Sequence, residues 1–95
     1  MPEGLLSEIK AYLKVTWDDE DAALTGIVKR GMARLTDIAG APLDFSIDEM
    51  PKSLLFDYCR YATSNALEMF ETNFSSELLS LHIKTQVSLE SDVGL

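Results

Sequence analysis

Asp18, Asp19, Glu20 and Asp21 form the densest group of potential metal ligands in the chain. A calcium loop takes its oxygens from alternating positions, turns at a glycine and closes with a distal glutamate. Consecutive carboxylates do not converge on one ion, so the run reads as charge placed at the positive end of a helix dipole. His82 is the sole histidine, and nothing near it in sequence supplies a second ligand or a partnered nucleophile. It is expected at the boundary of a helix, with a pH-sensitive contact as the alternative. Cys59 lies between Tyr58 and Arg60 on an apolar helical face, where a small buried hydrophobe is expected rather than a nucleophile. Tyr58, Tyr61, Phe70 and Phe74 would suit base stacking only among basic residues. Their neighbours are Asp57, Glu68 and Glu71, so core packing is expected. The sequence has no glycine-rich phosphate loop, zinc spacing or catalytic dyad. No enzymatic activity, cofactor or metal is therefore expected.

The 95 residues make one small domain, and 46% hydrophobic content supports a globular chain. A domain of this size has little stability to spare, so association with other copies is a natural supplement. Eight basic residues against 16 acidic give a net charge of −8. That balance opposes non-specific binding to nucleic acid and docking on an anionic membrane. A single cysteine cannot form an internal disulfide, and no charged-then-apolar leader opens the chain, so a reducing cytosolic origin is expected. No apolar stretch approaches the ~20 residues that cross a bilayer.

The elements that must carry these residues are helical. Leu5, Leu6, Ile9, Tyr12 and Leu13 make one stripe, which predicts a helix over 5–13 ended by Val15 and Thr16 with a turn at Trp17. A second helix is predicted over 18–39, capped by Thr16 or Asp18, with Leu24, Ile27, Val28, Gly31, Leu35 and Ile38 inward. Gly31 on that stripe would let another helix approach closely, and Gly40 followed by Pro42 supplies the stop. Residues 41–50 read as a connector pinned by Leu43, Phe45 and Ile47. Pro51 opens a third helix, predicted to run unbroken to residue 73 and to be the central strut. Leu55, Tyr58, Cys59, Ala62, Ala66, Met69 and Phe70 trace its main face, and Leu54, Tyr61, Leu67 and Phe74 widen it. A fourth helix is predicted over 75–87, with Leu78, Leu79, Leu81 and Ile83 as its apolar set. The expected fold is thus an all-α bundle of about four helices, with one helical domain over 1–83 and a tail over 84–95 that is mobile when unbound.

The same pattern nominates contacts between molecules. Leu54, Tyr61, Leu67 and Phe74 are candidates for facing a neighbouring copy rather than the subunit's own core. Residues 1–21 are acidic, whereas Lys29, Arg30 and Arg34 make the next segment basic. That polarity reads first as the ordinary placement of charge at helix ends, with a head-to-tail contact between copies as the alternative. Two other acidic or helical classes fit poorly. Acyl carrier proteins place Asp-Ser-Leu at a helix start, where this chain has Lys52-Ser53-Leu54. A helix-turn-helix DNA binder needs a basic recognition helix, and only the stretch Lys29 to Arg34 comes close.

Three segments carry a resemblance: LLSEIKAYLKVTWDDEDAALTGIV near the start, AGAP at 39–42, and KSLLFDYCRYATSNALEMFETNFSSELLSL. Over residues 4–83 the chain resembles the head–tail connector (adaptor) proteins of tailed phages. The likeness rests on hydrophobic spacing and particular dipeptides and is most specific in the last segment. It implies a structural helical protein whose copies form a ring beneath the portal, extend the DNA channel and present a surface to the next connector or the tail-completion protein. It also implies a place at the head–tail junction of the virion, reached from the host cytoplasm during assembly. DNA would pass an acidic ring without specific binding. Leu89, Val93 and Leu95 are the anchors by which the tail would order on the portal, the alternative being an inert tail. The competing expectation is a small cytosolic interaction or regulatory module acting as monomer or dimer.

Overall fold

The computed structural model describes residues 2–15 and 21–93, with side chains through residue 89. The N-cap candidates Thr16 and Asp18, Trp17 and the acids Asp18–Glu20 lie outside the described residues. The fold is all-α, with no strand among the described residues: α1 Leu5–Leu13, α2 Asp21–Ala39, α3 Met50–Thr63, a 3₁₀ turn Leu67–Met69, α4 Phe70–Asn73 and α5 Ser75–Val93. α2 packs against both α3 and α5, and α1 lies across α2 and α3. The bundle centres on the α2–α3 pair, with α3 also meeting the 3₁₀ turn and α4.

α1 buries Leu5 and Ile9, one turn apart on one face. It ends where Lys14 turns left-handed (φ 61°), with the Val15 N–H closing back on the Lys10 carbonyl at 2.9 Å. α2 buries Leu24, Val28, Gly31, Leu35 and Ala39, and Ile27 and Ile38 flank that stripe half-buried. Gly40 (φ 82°) ends α2 with its N–H on the Thr36 carbonyl. A Cβ built at Gly31 would stand 2.7 Å from Tyr58 Cδ1 and 2.8 Å from Leu55 Cδ1. The missing side chain is what lets α2 and α3 approach this closely.

The connector crosses the bundle with Phe45 buried and Leu43 half-buried. Ile47, expected to pin it, is instead 44% exposed. Asp44 turns the chain by accepting the backbone N–H and the hydroxyl of Ser46. Those bonds hold the Asp44 carboxyl below its ordinary range, the hydroxyl contributing most.

The predicted helix over 51–73 does not run unbroken. α3 starts at Met50 with Pro51 in the first turn as expected, but stops at Thr63. Asn65 adopts a left-handed conformation (φ 56°), and the Ala66 N–H returns to the Tyr61 carbonyl at 2.9 Å. This is the geometry in which glycine or asparagine closes a helix. Thr63 adds to the break by turning its hydroxyl back onto the Cys59 carbonyl at 2.9 Å. The chain then reverses through the 3₁₀ turn and α4, burying Phe70. α5 extends through Val93, beyond the expected end near 87, so residues 84–93 of the predicted tail continue it.

Candidate interaction surfaces

A groove of about 630 Å³ lies between the connector and the second half of α5. Leu43, Ile47 and Met50 form one wall and Leu81 and Leu89 the other, with Lys84 and Glu49 at its lips. The groove exists because the connector must span from Gly40, at the end of α2, to Pro51, at the start of α3. It does so beside α5 without filling the space. Leu89, nominated as an anchor, is an exposed wall residue here. The side chains of Val93 and Leu95, the other two anchors, lie outside the described residues.

A convex counterpart sits where α3 ends. The reversal at Asn65 pushes Leu67 and Met69 outward, and Met69 is 48% exposed. Behind them is an aromatic cluster: Phe70 meets Tyr58 edge-on at 5.4 Å and Tyr61 at 5.8 Å, and stacks on Phe74 at 5.1 Å. Asn73 Nδ2 donates to the Tyr61 hydroxyl at 3.0 Å, and the Arg60 guanidinium lies 4.9 Å from the Tyr61 ring centre. These contacts hold the corner rigid, so the two exposed side chains stand on a firm base.

The nominated neighbour-facing residues thus separate. Leu67 is exposed, and Tyr61 and Phe74 are half-buried in the aromatic corner. Leu54, at 3% exposure, belongs to the subunit's own core. It reads as surplus in sequence because α3 packs against α1 as well as α2, and a helix between two partners is apolar over much of its circumference.

The basic segment divides in the same way. Lys29 and Arg30 are exposed near the middle of α2 and make no ion pair with any described residue. Arg34 is committed within the chain and does not join them. Its Nε donates to Glu71 Oε2 at 3.0 Å and its Nη2 to Glu71 Oε1 at 2.8 Å, with Asp37 at 3.3 Å. This two-point grip ties α2 to α4. It raises the Arg34 pKa and holds the Glu71 carboxyl below its ordinary range, in each case chiefly through the hydrogen bonds between the two.

Asp21, Cys59, Lys52 and His82 have structural surroundings. Asp21 pairs with Lys10 at 2.8 Å, joining α1 to the start of α2. Among the described residues no cluster of three or more His, Cys, Asp or Glu is placed to hold a metal. Cys59 has no exposed surface, and burial pushes its thiol up to about 12. Lys52, which stands where a carrier protein has its acid, is nearly buried between Glu8 and Asp48 (3.0 Å), and the bond to Glu8 contributes most to raising its pKa. His82 Nδ1 lies 3.0 Å from the Ile38 carbonyl and Gln86 Nε2 donates to the Ala39 carbonyl at 2.9 Å. These two α5 side chains meet carbonyls in the last turn of α2, which have no acceptor role left inside their own helix. The capping role of His82 was not legible in sequence, because it depends on a helix 44 residues earlier.

α5 also carries an outward aliphatic row. Leu79, Ile83 and Val87 follow one another at every fourth position and are 60%, 51% and 55% exposed. The sequence places Leu79 and Ile83 in the core set of this helix; Leu78 and Leu81 alone take that role. None of the helices among the described residues is long and apolar enough to cross a membrane. Comparison of the chain with protein families, with curated proteins and with solved structures found no match in any of the three.

Proposed function

We propose that the protein is a structural head–tail connector of a tailed phage. In this reading its copies form a ring on the portal, extend the DNA channel and meet the next connector or the tail-completion protein. The reading starts from the sequence resemblance over residues 4–83. One observation carries it beyond the sequence: the domain presents two different apolar surfaces, one concave and one convex, at separated places. Closed rings are built by heterologous contacts, in which each subunit offers a patch and the next offers its complement. The groove bounded by Ile47, Met50 and Leu89 is a candidate for one half of such a contact, and the Leu67–Met69 corner for the other. The α5 segment between the corner, near Ser75, and the groove wall at Leu89 covers about 20 Å at the rise of a helix. A net charge of −8 suits a channel that DNA slides through, because phosphates are repelled from it.

The test is to mix the chain with its portal and weigh the product by native mass spectrometry. A ring stoichiometrically matched to the portal is expected. Leu67→Asp combined with Met69→Asp is expected to abolish the ring while leaving helicity unchanged. A chain that never joins the portal, or a double variant that joins it normally, refutes the assignment.

A further inference from the structure

We infer that the outer face of α5 is a self-complementary surface on which a second copy of this chain packs, antiparallel, about a two-fold axis. This inference does not rest on the connector reading, which uses the groove and the Leu67–Met69 corner instead. His82 and Gln86 turn toward α2, so the row Leu79–Ile83–Val87 points away from the molecule. The row is long enough for a helix to lie along it. Its neighbours on α5 are small: Ser76 and Ser80 interleave with it at helical spacing.

Charge selects the occupant. Glu77 and Lys84 are seven residues apart, so they lie on one edge of the face, two turns from each other. Both are exposed, and neither makes an ion pair with any described residue of its own chain. In an antiparallel helix pair, like edges face each other. An axis crossing α5 between Ser80 and Leu81 sets Ile83 level with the gap between the partner's Ser76 and Ser80. The same axis brings Glu77 against the partner's Lys84, and by symmetry Lys84 against the partner's Glu77. Ile83 then meets small side chains, and both charges find the opposite sign. A parallel arrangement in register would place Glu77 on Glu77 and Lys84 on Lys84. An isologous contact of this kind closes on itself and stops at two copies.

The experiment is sedimentation equilibrium on the portal-free chain, from about 1 μM to 1 mM, since a contact of three turns gives a weak dimer. Wild type is expected to move from monomer to dimer in that range. Glu77→Lys and Lys84→Glu each turn two attractive pairs into two repulsive ones, so each is expected to weaken the dimer ~10-fold or more at low salt. The combined Glu77→Lys/Lys84→Glu chain restores both pairs and is expected to return to within ~3-fold of wild type. Ile83→Asp is expected to leave a monomer of unchanged helicity. A wild type that stays monomeric to about 1 mM, or one that forms only larger assemblies insensitive to these charges, overturns the pairing. So does a double reversal that remains as dissociated as the single variants.

Discussion

The close approach of α2 and α3 at Gly31 makes a prediction whose sign depends on which of two α2 glycines is changed. Gly26 and Gly31 lie in the same helix, five positions apart, and both give way to alanine with the same gain in helix propensity, about 0.8–1 kcal/mol. Their surroundings differ. A Cβ at Gly26 meets only the far end of the Arg30 side chain, at 3.4 Å, an ordinary contact that a flexible group relieves. A Cβ at Gly31 falls 2.7 Å from Tyr58 Cδ1 and 2.8 Å from Leu55 Cδ1, both in the packed core. Overpacking of that kind costs about 1–3 kcal/mol. Because the propensity gain is common to both, the difference between the two variants isolates the steric cost. Gly26→Ala is therefore expected to stabilise the protein by about 1 kcal/mol. Gly31→Ala is expected to destabilise it by up to about 2 kcal/mol, leaving the two about 1–3 kcal/mol apart. Urea unfolding followed by far-ultraviolet circular dichroism reads this as opposite displacements of the midpoint at unchanged slope. Protein concentration must be held fixed, because self-association adds to apparent stability. A Gly31→Ala protein as stable as Gly26→Ala would refute the reasoning, since the helices would then have room that the geometry denies them.

Other outcomes follow from single contacts. Asn65→Ala is expected to cost about 1–2 kcal/mol, because alanine is strained at a φ of 56°, whereas Asn65→Gly should be neutral or stabilising in the same melts. Glu71 has a folded pKa below its ordinary value, so its contribution is fully present above that ordinary value and is lost as pH falls through the folded one. An acid titration should therefore show wild type losing stability below about pH 4.5 more steeply than Glu71→Gln. At neutral pH that variant is weaker by only about 0.5–1 kcal/mol, solvent screening included. Cys59, buried and with its thiol near 12, should react with a thiol reagent only at the rate of unfolding. Labelling of the native protein at the rate of a free thiol would contradict its burial. His82→Ala with Gln86→Ala should lower stability by about 1–3 kcal/mol through the carbonyls left open, measured as a shift in the thermal midpoint.

Much of the fold was legible because periodicity reports burial directly. The inward faces of α1 and α2, the glycine stop at Gly40 and the proline start at Pro51 all follow from side-chain type and spacing. The break at Ser64–Asn65 is hidden in sequence because the apolar spacing runs straight through it, from Ala62 to Ala66 and Phe70. Asparagine is the one residue besides glycine that routinely takes the left-handed position, so Thr63-Ser64-Asn65 was the available signal. The surfaces were harder to read. Leu79 and Ile83 carry the same hydrophobic weight in sequence as Leu78 and Leu81. Which pair is buried depends on where α2 lies, and that is a tertiary fact. Arg34 groups with Lys29 and Arg30 in sequence because its partner, Glu71, is 37 residues away.

The contacts from His82 and Gln86 to the end of α2 have a consequence for the order in which the chain becomes whole. Their partners lie 44 and 47 residues earlier. During synthesis α2 emerges well before α5, so the carbonyls of its last turn stay with water until His82 and Gln86 have left the ribosome. Loop closure over that separation must be met before those bonds form. Completion of the bundle is thus gated by its last helix, and a chain released before His82 would hold a frayed α2 beside an aromatic corner with nothing to close over it.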